Sequence, residues 1–267
     1  MSDTQLRFGG IERLYGKSAF QYIQNGHFCV IGIGGVGSWV AESLARTGIG
    51  TLTLIDLDDI CTTNVNRQIH ALTDTVGESK VEVMAERIRQ INPDCNVIEI
   101  EDFLTLDNLP ERLHPGLDYV IDAIDSVPVK TALIAYCKRH KIPLITIGGA
   151  GGQWDPTQIC ISDLSKTYQD PLLAKVKNQL RRQHNFSRNT KRKFGIDAVF
   201  STEQLTYPDD DGEVCLAKPD SKESMRLDCR SGFGAITHVT ASFAFFAVSR
   251  ALDKFLKSKA RKLAESA

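Results

Sequence analysis

A chain of 267 residues that is 42% hydrophobic and 24% charged can bury one large core with an appended subdomain. Its 32 Lys and Arg against 33 Asp and Glu leave a formal charge of -1, which excludes a global pull toward polyanions and confines any nucleic-acid surface to a local patch. The seven cysteines, at 29, 61, 95, 137, 160, 215 and 229, form no Cys-x-x-Cys pair and follow no secretory leader, so neither a disulfide framework nor a zinc ribbon is indicated and a reducing cytoplasm is the expected setting.

Along the first 150 residues, apolar strands alternate with amphipathic helices. Residues 27–33 read as a strand running into glycines, 38–47 as a helix stopped near Gly48 and Gly50, and 51–55 as a second strand ending at Asp56. A helix over 78–91 places Val81, Met84, Ala85, Ile88 and Ile91 at helical spacing and stops at Asn92-Pro93. Residues 96–100, 119–123 and 144–147 are further strands, the last two separated by a helix over about 129–140. This order predicts an α/β fold with a doubly wound, mainly parallel sheet, whose ligands lie beyond the carboxyl ends of the strands.

After a glycine-rich loop at 148–152 the pattern changes. Residues 159–161 can form a strand, but 171–196 carries eight cations (Lys175, Lys177, Arg181, Arg182, Arg188, Lys191, Arg192 and Lys193) and no acid, so it reads as a basic insertion. The tail after Ala251 is basic again, with Lys254, Lys257, Lys259, Arg261 and Lys262. Residues 232–249 lack any charge, which admits a membrane-associated segment. Ser242, Thr237, Thr240 and His238 interrupt it, however, and Phe243, Phe246, Leu252, Val239 and Val248 suit a helix buried in a core or dimer contact. One domain over 1–267 is expected: a nucleotide-binding core (1–150), an insertion or substrate region (151–228), and a cysteine segment with a C-terminal helix (229–267).

The chemistry starts at Gly32-x-Gly34-x-x-Gly37, with Gly35 between, where backbone can approach a phosphate at a helix N-terminus. Alone, with Asp56 at the end of the next strand, this fits an NAD-binding dehydrogenase as well as a triphosphate site. A triphosphate needs added cations and a carboxylate-held magnesium ion. Arg67 and Lys80 supply positive charge, Asp125 is the best magnesium candidate with Asp58 and Asp122 behind it, and Asn64 and Gln68 can orient phosphate oxygens. Exposed carbonyls of 148–152 offer a place for K+ or Na+. His70 reads as a packed side chain on the helix following Arg67-Gln68.

The runs GIGGVGS, IDLDD, NVNRQ, VGESK and VIDAIDS resemble the adenylating domain of ubiquitin-activating-type (ThiF/MoeB-like) enzymes, including bacterial activators of sulfur carriers. The resemblance covers about 7–147 and again 229–252. It implies ATP and Mg2+ as cofactors, with Gly32, Gly34, Gly35, Gly37, Asp56, Asp58, Asn64, Arg67, Gln68 and Lys80 around the nucleotide. It also implies Asp125 on the metal, and a homodimer in which Arg13, or less favourably Arg7, reaches the partner's phosphates. Cys229 matches the family's sulfur or acyl acceptor, with Cys215 a poorer choice, which would link the chain to a cysteine desulfurase system.

Two departures bear on substrate: the paired zinc cysteines of the sulfur-carrier activators are absent, and a basic stretch is present. GIERLYG, TNVNRQIHAL, GGAGGQWDPTQI and DCRSGFGA are similar to the superfamily branch that adenylates and cyclises threonylcarbamoyladenosine in tRNA. That likeness implies a tRNA substrate gripped by the cations at 175–193, which otherwise form a solvated loop.

Overall fold

The computed structural model describes residues 2–209, 213–216 and 233–266. Two helices that the sequence pattern does not announce come first, α1 (Asp3–Tyr15) and α2 (Lys17–Gln24). Ser2 caps α1, accepting from Gln5 N at 3.2 Å while the Gln5 side chain returns to Ser2 N at 3.0 Å, so two otherwise orphaned donors are satisfied together.

The alternating region then follows as β1 (His27–Ile31), α3 (Gly37–Thr47), β2 (Thr51–Ile55), α4 (Lys80–Ile91), β3 (Asn96–Ile100), a short α5 (Leu109–Arg112), β4 (Tyr119–Asp122), α6 (Val127–His140) and β5 (Leu144–Ile147). Beyond it lie β6 (Ile159–Asp163), α7 (Pro171–Gln183), β7 (Asp197–Ser201), a small ribbon of β8 (Tyr207–Pro208) with β9 (Val214–Cys215), and α8 (Thr237–Ser266). The large sheet has the order β3-β2-β1-β4-β5-β7-β6; every neighbouring pair is parallel except β6 with β7. The expected doubly wound sheet is therefore present, and the stretch after 150 completes it.

Side chains alternate across the sheet, as a pleated strand requires. On β1, Phe28 and Val30 join a core with α2, α3, α4 and α8, while Cys29 and Ile31 join a second core with α5, α6 and α7. The basic stretch enters this second layer: α7 buries Leu172, Leu173, Val176 and Leu180 and turns its cations outward. α8 packs Val239, Phe243, Ala247, Val248, Leu252 and Phe255 into the first core, whereas Phe246, expected inside, is 39% exposed because it falls on the opposite side of the helix. Among the described residues, no helix is long and apolar enough to cross a membrane.

Candidate nucleotide site

The loops following β1 to β5 enclose a cleft of about 870 Å3 at the strands' carboxyl ends, where strand order reverses between β1 and β4. Its glycines do different work. Gly32 turns at φ +85°, and Gly37 lets α3 approach β1, since a Cβ there would lie 1.7 Å from the Gly32 carbonyl oxygen. Gly34 has only the Gln68 side-chain nitrogen within reach of a Cβ, at 3.9 Å, so its bareness opens the cleft instead of relieving a packing clash. Because the strands are parallel, α3, α4 and α6 all begin at this edge, with the positive ends of their dipoles toward the cleft.

Asp56 sits half-buried past β2, one carboxylate oxygen accepting from Ile33 N at 2.6 Å and the other from Asp58 N at 2.9 Å. Burial raises its pKa, against the opposing pull of Lys80 and these two donors. Lys80, first residue of α4 and buried, places its ammonium 2.7 Å from exposed Asp58. Asn64 is buried and bonds inward, accepting from Cys61 N at 3.0 Å. Arg67 lies against Thr63 O at 2.7 Å and Asn66 Oδ1 at 3.0 Å, on a backbone fixed by Trp39 Nε1 to its carbonyl at 3.0 Å. Buried Gln68 lines the cleft with its Oε1 lacking a hydrogen-bond partner among the described residues. This segment is a 3-10 turn followed by irregular turns, so His70 stands on no helix.

Asp122 is excluded as a metal ligand by its partners. Lys130 Nζ reaches its Oδ1 at 2.9 Å and Thr146 Oγ1 its Oδ2 at 2.7 Å, with Asp122 and Lys130 both fully buried. Lys130 also donates to Ile124 O at 2.8 Å, so the pair fixes the turn that presents Asp125. Asp125 is exposed on the cleft wall. Among the described residues, no group of three or more His, Cys, Asp or Glu is arranged to hold a metal, so a cation at Asp125 needs oxygens from a ligand.

The remaining expected residues lie apart. Arg13 and Arg7 are on α1, outside the cleft of their own chain; Arg7 pairs with Asp3 at 2.6 Å. Cys229 falls outside the described residues, and Cys215 sits in the β8–β9 ribbon. In the glycine loop, Gly149 O already accepts from Gln153 Nε2 and Gly152 O from Thr206 N.

A family model described as the ThiF family matches residues 9–266. The chain belongs to the ThiF family. It is 60% identical over 255 residues to tRNA threonylcarbamoyladenosine dehydratase of Escherichia coli strain K12, across 96% of this chain and 95% of that protein. The Haemophilus influenzae protein of that name is 59% identical, covering 97% of each. A crystal structure of the E. coli enzyme, TcdA, in complex with ATP superposes with a TM-score of 0.87 at 56% identity, covering 97% of this chain and 98% of that one.

In this ThiF-family chain the cleft also uses residues that sequence reasoning missed. Asp102, Phe103, Leu104 and Thr105 form one wall from the loop after β3, and Phe233, Gly234, Ala235 and Thr240 close another from the start of α8. Asn66 ties the two halves together, its Nδ2 donating to Ala235 O at 2.8 Å. Loop residues of this kind have no periodic signal; only their position after a strand could have marked them. Lys130 had one, a lone cation inside the apolar run of a helix.

The cations at 175–193 do not meet the cleft. α7 starts beside Gly148, and its 13 residues carry the chain about 20 Å toward the opposite sheet edge. Arg188, Lys191, Arg192 and Lys193 precede β7 there, and Lys254 and Lys259 of α8 reach the same edge, paired with Asp197 and Asp118. Lys177 and Arg181 are partly spent on structure: the first donates to Thr167 O, and the second lies 5.3 Å over the Phe194 ring.

Proposed function

We propose that this chain is an ATP-dependent dehydratase acting on threonylcarbamoyladenosine in tRNA, through an acyl-adenylate, as a homodimer in the cytoplasm. The observation that carries the ATP reading is the convergence of Lys80, Arg67, Asp56 and the bare Gly34 turn on one cleft, in a chain alike to an ATP-bound relative over nearly its whole length. An NAD reading leaves both cations without a task.

In this reading the α3 N-terminus and the Gly32–Gly37 turn take phosphate oxygens, Asp56 takes ribose hydroxyls, and the 102–105 wall covers the base. Asp56 keeps acceptor capacity for this, since its two internal bonds use only part of it. The cleft's described walls carry four carboxylates (Asp56, Asp58, Asp102, Asp125) and two cations (Arg67, Lys80), so a polyphosphate gains from entering with a divalent cation, which fits Mg2+. Asp125 would hold the ion, which supplies charge neutralisation at the phosphates. A K+ or Na+ ion at 148–152 would share the Gly149 and Gly152 carbonyls with the one hydrogen bond each already accepts.

The substrate carboxylate oxygen attacks the α-phosphorus as the bond to the β-phosphate bridging oxygen breaks, releasing pyrophosphate. Lys80 and Arg67 stabilise the charge moving onto that leaving group, and Asn64 and Gln68 orient oxygens; the protein acts by position and field. The neighbouring carbamoyl group then attacks the activated carbonyl within the same side chain and expels AMP. The water lost from the tRNA is accounted for by ATP becoming AMP and pyrophosphate. Arg13 is assigned to the partner's phosphates, consistent with its place outside its own cleft. Cys229 is proposed as a sulfur acceptor for a cysteine desulfurase system, a role that cyclisation does not require; Cys229→Ser should leave dehydration intact and abolish sulfur uptake.

The deciding experiment is incubation with ATP, Mg2+ and tRNA bearing threonylcarbamoyladenosine, followed by mass spectrometry of the nucleosides. Loss of one water from that nucleoside, with tRNA-dependent pyrophosphate release, is expected; Arg67→Ala or Lys80→Ala should slow it about a hundredfold or more. Pyrophosphate release driven by a small protein ending in Gly-Gly, and not by tRNA, would replace this reading with sulfur-carrier adenylation.

A further inference from the structure

Trp154 lies on the cleft side of the sheet, in the loop joining the glycine turn to β6. That loop stays at one edge: Gly148–Gly151 line the cleft, Gly152 N donates to Gly234 O at 2.8 Å, and Ile159 pairs with Ser201 at the carboxyl end of β7. Trp154 is 59% exposed, so its indole is available to a ligand and does not serve core packing. Its backbone is fixed from both sides. The Glu203 carboxylate, 6% exposed, accepts from Trp154 N at 3.1 and 3.2 Å and from Asp155 N at 3.0 Å, while His238 Nε2 lies 3.0 Å from Trp154 O. Burying a carboxylate is costly, and this one is held by the amides of the residue it immobilises and its neighbour. A rigid backbone under a solvent-facing indole is what a preorganised stacking surface requires.

We propose that Trp154 is a stacking platform for an unpaired base of the RNA substrate beside the nucleotide being activated. This rests on the tRNA reading above. Single-stranded RNA loops are recognised by splaying bases onto aromatic faces, and stacking tolerates any base, so the platform positions the strand without reading its sequence. Its location fits a division of labour: the basic sheet edge lies about a helix length from the cleft, whereas Trp154 stands three residues past the cleft-lining Gly151, at the rim and not in the lining itself.

The test compares Trp154→Ala and Trp154→Phe with the parent protein in tRNA dehydration, with ATP affinity measured by calorimetry. Trp154→Ala should raise KM for tRNA about tenfold or more, Trp154→Phe should recover most of it, and both should bind ATP as the parent does. A direct readout uses 5-fluorotryptophan: the chain has two tryptophans, and the 19F signal missing from Trp154→Phe should shift when tRNA is added to the parent. An unchanged KM in Trp154→Ala overturns the platform, as does a 19F signal insensitive to tRNA. So does a halved oligomeric mass in Trp154→Ala, which would assign the indole to a subunit contact. A parent protein that dehydrates no tRNA overturns the functional reading itself, and this proposal with it.

Discussion

His70 and Lys130 are two buried side chains with opposite solutions to the same problem. Lys130 keeps its charge and spends it, bonding Asp122 and Ile124 O in a fully satisfied group. Removing one member of such a pair strands the other, so Lys130→Met should cost about 3–5 kcal/mol in urea unfolding, and the double variant with Asp122→Asn should recover part of that. His70 instead stays neutral. Burial, then the nearby charges of Lys80 and Arg87, push its pKa down to about 4, and neither ring nitrogen has a partner among the described residues. A depressed folded pKa gives stability that is fully present above the ordinary value of about 6.5 and is lost as pH falls from there toward about 4, because the unfolded chain takes the proton first. The loss amounts to about 3 kcal/mol across that window. A His70→Asn variant should show a flatter stability profile between pH 6.5 and 4, measured by urea titration at each pH; an unaltered slope would remove His70 from the account.

Among the elements, the turn from β1 into α3 carries glycines that differ in what an added methyl would meet. At Gly37 an added methyl would occupy the position of the Gly32 carbonyl, so Gly37→Ala must pry α3 off the strand and should lower Tm by many degrees, if it folds at all. At Gly34 a methyl meets only the Gln68 side-chain nitrogen, at an ordinary contact of 3.9 Å; Gly34→Ala should keep its Tm within a few degrees and lose ATP affinity by calorimetry. Equal effects at the two positions would mean that the motif is only a packing device. The Gly-x-Gly-x-x-Gly spacing was legible in sequence, but this division was not, because it depends on what lies across the turn. β1 to β6 were legible too, since apolar runs and breakers mark them, whereas β7, β8 and β9 were not read as strands. α1 was not, having a single buried residue, Phe8, to signal a face, and α7 was hidden because its cations masked the spacing of Leu172, Leu173, Val176 and Leu180.

For the whole molecule, the placement of charge matters more than its near-zero sum. The basic stretch was legible as a run of eight cations, but its distance from the cleft follows only from α7 running antiparallel to the strands. A tRNA engaged at both places spans the domain, with phosphates on the far edge and one nucleotide in the cleft. Lys175, Arg182, Arg188, Lys191, Arg192 and Lys193 are all exposed, and of these Arg182, Arg188, Arg192 and Lys193 serve as the test set, whereas Arg181 packs on Phe194 and would confuse the experiment. Reversing these four to Glu should weaken tRNA binding without touching ATP affinity. It should also lower the slope of log affinity against log salt by about 3, since each phosphate that the edge no longer neutralises removes about 0.7–0.9 from that slope. Because the edge acts through phosphates, the effect should be similar for cognate and non-cognate tRNA. An unchanged salt slope would leave these residues as a solvated face, and the strand would then have to be held by the cleft and its rim alone.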